Sequence, residues 1–545
     1  MKRINFYSIS IAVFSLLMLV EGVHDSKAQR LSRDLNVDLL VNQVGYLPQS
    51  GKLCVVRGIT NKKFDVIDLQ TQKIVYTGVL KPGAADFGEY AVGDFSELEQ
   101  EGHYYLKSDT LRSYPFAISK SVYQQPMNLI ARYFSLQRCG SSNTGYLSPC
   151  HIDDGIRIDN AKHQDVTGGW HDASDLRKWV GATIYGVIGL AKAYESGGKN
   201  SENSKNILEE LLWGNQYFLK MQEPQGYVMS FIGGDVRKHS DSNRWTDNEI
   251  GEDGGDLKMV RPSAGKSTNE TLVFGSIDDR VIETKPLDII GQFNFVTAEA
   301  MMARITKTAD AGYSGRCLRA AAKCFEWSTK STGEANPGVI GASILASLEM
   351  YKTTNQDIYK NFAIQQASRL AKLQANTPGV SGFFYTSPSD QKPYKDIWHG
   401  CLEFISLCDL VQAFPAHKDG ASWKQMIAKY STQYLLFMSQ KNSFGLIPFG
   451  LYSEGDPGGN RKAGSYWYRY FMEPDPTWWV GINSNIASAG VGLIKAARIL
   501  NDPRLKTLAQ RQLDWIVGVN PFNSSTIAMV GYNHPKHFPG SSFSP

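Results

Sequence analysis

Charge of neither sign dominates this chain. Its 57 Lys and Arg against 53 Asp and Glu leave a formal charge of +4 over 545 residues, and no basic block or stripe interrupts the mixture. It has no footprint for a phosphate backbone, and nucleic acid is not an expected partner. Cysteine is scarce as well. The seven residues (Cys54, Cys139, Cys150, Cys317, Cys324, Cys401 and Cys408) are an odd number, which rules out complete internal pairing and hence a disulfide scaffold. Cys317/Cys324 and Cys401/Cys408 each recur on one helical face, as expected of small buried thiols. Neither pair has the close spacing or neighbouring histidines of a metal site, so no metal and no cofactor are expected. Beyond the N-terminus no apolar run is long enough to cross a bilayer.

The N-terminus is the exception. "MKRINFYSISIAVFSLLMLVEGVHDSKAQ" has a basic start, an apolar stretch from Phe6 to Val20 and a small-residue ending, Ser26-Lys27-Ala28. That layout predicts a cleaved signal peptide over residues 1–28 and a secreted or periplasmic product, with an uncleaved anchor as the alternative. The next cysteine is Cys54, too far away for a lipid-anchored lipoprotein. The mature form is expected to be a monomer with no membrane partner.

A chain this long predicts two domains. From Val37 to Ser119 short alternating runs such as "KLCVVRG", "KFDVIDLQ" and "GHYYLKSD" are broken by turns, which predicts an immunoglobulin-like β-sandwich over 37–120. Past residue 120 the period becomes helical. Trp423, Met426, Ile427, Tyr430, Tyr434 and Phe437 keep one face, and Asp502-Pro503 is a well-formed helix start with Gly518 as a stop. Helix starts are predicted near residues 122, 176, 204, 289, 312, 337, 356, 394, 421, 482 and 502. Helices in antiparallel succession, with loops of unequal length, predict a toroid of hairpins over 121–545 whose long loops build the site on one face. Closing six hairpins takes one more helix than this count supplies. The longest predicted loop, 224–288, holds "DSNRWTDNEIGEDGGD" with Asp241, Asp247, Glu249, Glu252, Asp253 and Asp256. It fails the calcium-loop pattern, since Trp245 and Thr246 occupy the ligand and glycine places, and reads as a solvated or substrate-contacting loop.

In "GGWHDASDLRKW" the glycines permit a tight turn, and Asp172 and Asp175 at a helix start can point the same way and share one water. By spacing alone, helix capping explains them better. Aromatic runs at "DIWHG" (Trp398, His399), "SYWYRYF" (Tyr466 to Phe471) and "DPTWWVG" (Trp478, Trp479) suit stacking on pyranose faces, although most such rings are core. His534 and His537 sit in a Gly/Pro-rich loop with no third ligand and no HExxH helix, so contact with a sugar hydroxyl is favoured over metal.

Four of these stretches, in order, resemble the family 9 glycoside hydrolases, inverting cellulases that often carry an N-terminal immunoglobulin-like domain. They are "VNQVGY", "GGWHDASDLRKW", "WWVGINSNIASAGVGLIKAARIL" and "LDWIVGVNPFNSS". The resemblance implies an (α/α)6 barrel, here lacking its last helix. It implies Asp175 as the general base and Asp172 as the aspartate that positions the water. It also places His537 as a substrate contact, and Trp170, Trp398 and Trp479 are expected beside it as substrate-binding rings. An inverting acid would lie about 6.5–9.5 Å from the base. Ser174 replaces the glycine of the family's DAGD, and "KHFPG" lacks the histidine and arginine expected beside His537. The family's acid, a glutamate beyond the histidine loop, has no counterpart here, where the last glutamate is Glu473; its loss costs about 10²- to 10⁴-fold in rate. The expected function is hydrolysis of β-1,4-glucan or its oligosaccharides. The alternatives are a catalytically weak glycan-binding homologue, an exo-acting β-glucosidase or β-glucosaminidase, and an all-helical lyase that leaves the ordered motifs unexplained. The sandwich, without an exposed aromatic strip, is expected to buttress the barrel.

Overall fold

The computed structural model describes residues 38–58, 62–145, 150–151, 154–172, 177–197, 202–233, 280–331, 333, 335–456, 458–472 and 481–535. The expected signal segment, the acid-rich stretch 241–256, Asp175, Trp478, Trp479 and His537 lie outside them. The chain divides into two compact units that interleave in sequence: residues 1–123 with 439–446 and 506–536, and residues 124–438 with 447–505 and 537–545.

The first unit is a sandwich whose strands run in the order β1-β3-β6-β5-β4-β7-β9-β2, with β8 paired to β7. They are β1 Leu39–Leu40, β2 Gly45–Tyr46, β3 Leu53–Arg57, β4 Lys63–Asp68, β5 Ile74–Pro82, β6 Tyr90–Asp94, β7 Gly102–Ser108, β8 Leu111–Arg112 and β9 Phe116–Ile118. The long strand β5 pairs with β4 along its first part and with β6 over Leu80–Pro82, so one strand serves both layers. Alternation points Phe64, Val66, Tyr104, Leu106, Phe116 and Ile118 into one core, joined by Tyr46 and Phe95.

The "VNQVGY" motif explains itself here. Asn42 Oδ1 accepts the N–H groups of Val44 (2.9 Å) and Gly45 (3.0 Å), while its Nδ2 donates to Asp514 Oδ1 (2.8 Å). Gln43 Oε1 accepts the N–H groups of Tyr532 and Asn533, both at 2.9 Å, and Gln43 Nε2 donates to the Asn523 carbonyl (2.8 Å). Gly45 has φ +123°, and a Cβ there would lie 2.2 Å from the Ala117 carbonyl, so only glycine fits. The late "LDWIVGVNPFN" segment is thereby tied to the first strands of the sandwich.

The second unit is helical. Its helices are α1 Gln124–Leu136, α2 Val180–Ser196, α3 Glu202–Lys220, α4 Ile289–Thr306, α5 Ala311–Ser331, α6 Pro337–Thr354, α7 Asp357–Ala371, α8 Leu402–Ala413, α9 Gly420–Ala428 and α10 Asn483–Leu500; α9 continues as a π-helical stretch, Lys429–Leu436. An eleventh helix, α11 Pro503–Ile516, starts at the expected proline and belongs for most of its length to the first unit. Ten of the eleven predicted starts fall close to an observed one. The start expected near 394 moves to Leu402, because Gly400 and Cys401 adopt positive φ (+24° and +48°) and end the loop there.

Helices α2, α4, α6, α8 and α10 form an inner row, each packed on the next, with α3, α5, α7 and α9 outside them. Burial follows that order. Helix α4 is buried without a break from Ile290 to Ala303 and α6 from Pro337 to Ile344, whereas α10 buries only a stripe through Ile486, Ala489, Leu493 and Ala496. The expected loop 224–288 is corrected in part. Strands β12 Met229–Gly233 and β13 Val281–Pro286 join β10 Ile156–Arg157 and β11 Lys178–Trp179 in a sheet ordered β10-β13-β12-β11. Their partners lie up to about 120 residues away, beyond the reach of a local pattern.

Candidate active site

The "GGWHD" segment ahead of α2, residues 168–172, is gripped from several directions. Gly168 and Gly169 have φ of +87° and +77°, and a Cβ on Gly169 would meet the Tyr217 ring at 2.7 Å. Residues 137–140 run antiparallel to 168–171: Cys139 N–H donates to the Gly169 carbonyl (2.9 Å) and His171 N–H to the Gln137 carbonyl (2.8 Å). Trp213 Nε1 on α3 donates to the Gly169 carbonyl (2.9 Å). Fully buried Lys178 donates to the carbonyls of Val166 (2.8 Å) and Gly168 (3.0 Å) and pairs with Asp154 at 2.7 Å. Asp172 N–H donates to the Arg177 carbonyl (2.7 Å), closing the loop across the neck of the motif. Asp172 itself is half-buried. Partial burial, then the negative charge of Asp172, raise the pKa of the Tyr133 hydroxyl, so an aromatic ring of α1 lies within electrostatic range of that carboxylate.

The N-terminal ends of other inner helices carry a polar and aromatic rim. Tyr185 of α2 is 2.8 Å from His399 Nδ1, and His399 Nε2 is 3.8 Å from Asp288, the residue that caps α4 by accepting Gly291 N–H. Asp396 Oδ1 accepts the N–H groups of Trp398 (2.8 Å) and His399 (3.0 Å), its Oδ2 accepts the Tyr394 hydroxyl (3.0 Å), and its carbonyl accepts Asn485 Nδ2 of α10 (2.7 Å). This ordered loop presents the Trp398 ring to solvent, 50 % exposed. Deeper in, Glu403 accepts the Tyr430 hydroxyl (2.8 Å), and burial pushes its carboxyl up to about 7.

Behind the aspartate turn four donors converge. Ligand atoms of Cys139, Cys150, His151 and His171 all lie within 4.8 Å of one another and are buried. Three of the six edges are 3.4 Å (Cys139 Sγ to His151 Nδ1), 3.7 Å (Cys150 Sγ to His171 Nε2) and 3.4 Å (His171 Nε2 to His151 Nδ1). Metal–ligand arms of about 2.0–2.3 Å at tetrahedral angles require edges of roughly 3.3–3.8 Å, which these three meet, and two Cys with two His are a donor set suited to Zn²⁺. Burial, reinforced by the Arg280 charge, lowers the His151 pKa to about 4, which keeps the imidazole neutral as a ligand must be. Four protein donors leave no open position, the pattern of a structural centre. The expectation of no metal rested on spacing along the chain, whereas the fold joins candidate donors 32 residues apart. The adjacent Cys150-His151 and the His171 beside Asp172 were the available signals.

The family pattern described as Glycosyl hydrolase family 9 matches residues 123–542. The chain belongs to that family. The Cellulase N-terminal ig-like domain pattern matches residues 36–113 of this family 9 chain. A cellodextrinase of Butyrivibrio fibrisolvens is 24% identical over 541 residues, covering 92% of this chain and 85% of the relative. A cellulose 1,4-beta-cellobiosidase of Acetivibrio thermocellus is 27% identical over 412 residues, covering 62% and 43%. Among solved structures, a Bacteroides ovatus family 9 protein superposes with TM-score 0.63 at 18% identity over 92% of this chain and 88% of its own. A metagenome-derived family 9 endoglucanase gives 0.62 at 20% identity, covering 91% and 86%. These establish a shared fold.

Within this family 9 fold, the residues singled out from the sequence separate. Asp172 lies in the anchored turn and Trp398 on the rim. Trp170 is corrected: it is 1% exposed, its ring packs on Phe134 and Phe218, and its Nε1 donates to Glu210 (3.3 Å), so it offers no face to a sugar. In the "SYWYRYF" run, Tyr468 is paired with Leu451 and buried, Tyr470 just past the strand is buried as well, and Phe471 is exposed. Tyr133, Tyr185, Asp288, Asp396 and Asn485 were not singled out, because only helix packing brings them to the ends of the inner helices.

Proposed function

We propose that this chain is a secreted, inverting hydrolase of β-1,4-linked glucans or their oligosaccharides, with Asp175 as general base and Asp172 orienting the attacking water. The reading is carried by two observations together: the anchored turn at Asp172, ahead of α2, and the cluster of Tyr185, Asp288, Asp396, Trp398 and His399 near the N-terminal ends of the inner helices. The names of the relatives, cellodextrinase and cellulose 1,4-beta-cellobiosidase, put β-1,4-glucans first among substrates. The base draws a proton from water as that water attacks the anomeric carbon opposite the leaving group. Trp398 and Trp479 are assigned as stacking platforms and His537 as a hydroxyl contact. A zinc ion on the Cys139, Cys150, His151 and His171 set would hold the turn from behind.

The half-buried ends of the inner row support one further inner helix between α10 and α2, as an (α/α)6 barrel requires. Helix α1 agrees, since it leaves Met127, Ile130 and Tyr133 about 40% exposed. No residue of this sequence is assigned as the general acid. The second reading is a glycan-binding homologue with little turnover. Incubation with cellotetraose and with 2,4-dinitrophenyl β-cellobioside, following anomeric configuration, tests both. Inverted product, abolished by Asp175→Asn, is expected. Retained configuration refutes the mechanism, and binding without hydrolysis of either compound favours the second reading.

A further inference from the structure

Trp170 is the one motif residue whose expected role the fold overturns, and its environment gives it another. The indole lies in a slot between α2 and α3 cut by two glycines. A Cβ on Gly214 would lie 2.0 Å from the indole, and one on Gly186 would lie 2.6 Å from the Phe134 ring and 3.4 Å from the indole. At the end of the slot stands Glu210, 4% exposed. Its Oε2 accepts Trp170 Nε1 at 3.3 Å and Arg138 Nε at 3.2 Å, while Oε1 accepts an Arg138 Nη2 proton at 2.7 Å. One carboxylate thus binds both strands of the short antiparallel pair that carries the aspartate turn, Arg138 from one and Trp170 from the other. The Arg138 guanidinium also stacks 4.8 Å above the Trp213 ring, whose Nε1 holds the Gly169 carbonyl. Only His171 separates Trp170 from Asp172.

We propose that Glu210 is a positioning residue for hydrolysis, setting the placement of Asp172 through Trp170 and Arg138. This rests on the assignment of Asp172 and Asp175 to water activation. Glu210 touches no substrate. It fixes two side chains whose backbones form the turn, and a misplacement of about 1 Å in such a constellation costs on the order of 10²-fold in rate. A bulk structural role predicts a different result: loss of folded protein, with unaltered kinetics in what remains folded.

The test uses 2,4-dinitrophenyl β-cellobioside, whose leaving group departs without a proton and so reports on the base half of the site alone. Trp170→Phe keeps a ring in the slot and removes only the Nε1 proton; Glu210→Gln keeps the shape and removes the charge. Both are expected to lower kcat, about tenfold and about a hundredfold, with KM within twofold and with a displaced acid limb in the pH profile of kcat/KM. Glu209→Gln, whose exposed carboxylate meets only the outer side of Arg138, should leave kcat and the profile unchanged. Unchanged kcat in Trp170→Phe and in folded Glu210→Gln overturns the proposal. Should Glu210→Gln fail to fold, Trp170→Phe alone decides. Asp175→Asn separates the two layers. If it retains turnover, or if the unsubstituted chain does not cleave the glycoside, the base assignment falls and the positioning role with it. If it is inactive while the other variants match the unsubstituted chain, only the positioning role falls.

Discussion

Replacing Glu299 by glutamine should remove a pH dependence from the stability of the helical unit. Glu299 is fully buried on α4, where its Oε2 accepts Asn215 Nδ2 of α3 (3.2 Å), which also donates to the Tyr313 hydroxyl of α5 (3.0 Å). Burial pushes the carboxyl from its ordinary 4.5 up to about 8, and the hydrogen bonds from Asn215 and Cys317 pull it back only in part. Below pH 4.5 the group is protonated whether the chain is folded or not, and its contribution is fully present. As pH rises towards 8 the unfolded chain ionises while the folded one does not, so stability drains away over that window and levels off above it. At ~1.36 kcal/mol per pH unit, the passage from pH 5 to pH 7 costs about 2.5 kcal/mol. For the 420 residues matched by the family, an unfolding entropy of ~2.1 cal/mol/K per residue converts that into about 3 °C of Tm.

The amide in Glu299→Gln stays neutral throughout. Its NH₂ can donate to Asn215 Oδ1, which has no hydrogen-bond partner among the described residues. Thermal melts at pH 5, 6, 7 and 8 should show the variant gaining about 3 °C on the unsubstituted chain between pH 5 and pH 7. Glu403 and Asp514, also raised to about 7 by burial, are present in both proteins and cancel in the difference. Parallel Tm curves across that range would refute the argument.

Metal analysis of the purified chain should find about one zinc per molecule, and Cys139→Ser or a strong chelator should remove it. At a thousandfold excess over Kd such binding is worth about 4 kcal/mol, so Tm should fall by several degrees; a metal-free protein of unchanged Tm would contradict the tetrahedral fit. Trp398→Ala should raise KM for cellotetraose several-fold with a smaller change in kcat, because the ring is exposed and far from any titrating role; equal KM values would take Trp398 off the substrate path. Gln43→Ala leaves two N–H groups without their acceptor, and hydrogen exchange at Tyr532 and Asn533 should accelerate at least tenfold, consistent with a loss of about 1–3 kcal/mol per orphaned group; unaltered exchange would show that the loop holds itself.

Most of the helices were legible because their signal is local. The face shared by Trp423, Met426, Ile427 and Tyr430 follows from a period of 3.6, and all four are buried. The Asp502-Pro503 start and the Gly518 stop rest on capping chemistry that acts within a turn; Gly518 has φ +126°. The expected buried thiols Cys317, Cys324 and Cys408 are free and buried. Local pattern failed where two distant stretches complete one structure. Strands β12 and β13 each need partners from elsewhere in the chain, and the Cys139, Cys150, His151 and His171 set spans two loops. Trp170 misled for a related reason: a ring beside paired aspartates suits a sugar as well as it suits a core, and only the two glycines facing it decide.

From the chain alone came the change of period at residue 120, the order of the family motifs, and the identity of the paired aspartates, since each is written in neighbouring residues and needs no partner to be read. The packing of α2 against α3 decided that Trp170 is an anchor. The pairing of residues 137–140 with 168–171 brought a metal-fitting tetrahedron behind Asp172. The inner row of helices gathered Tyr185, Asp288, Asp396 and His399 into one rim. Each of these depends on distances between residues tens to hundreds of positions apart, and such distances are set by burial of apolar faces across the whole unit, a quantity no single stretch contains.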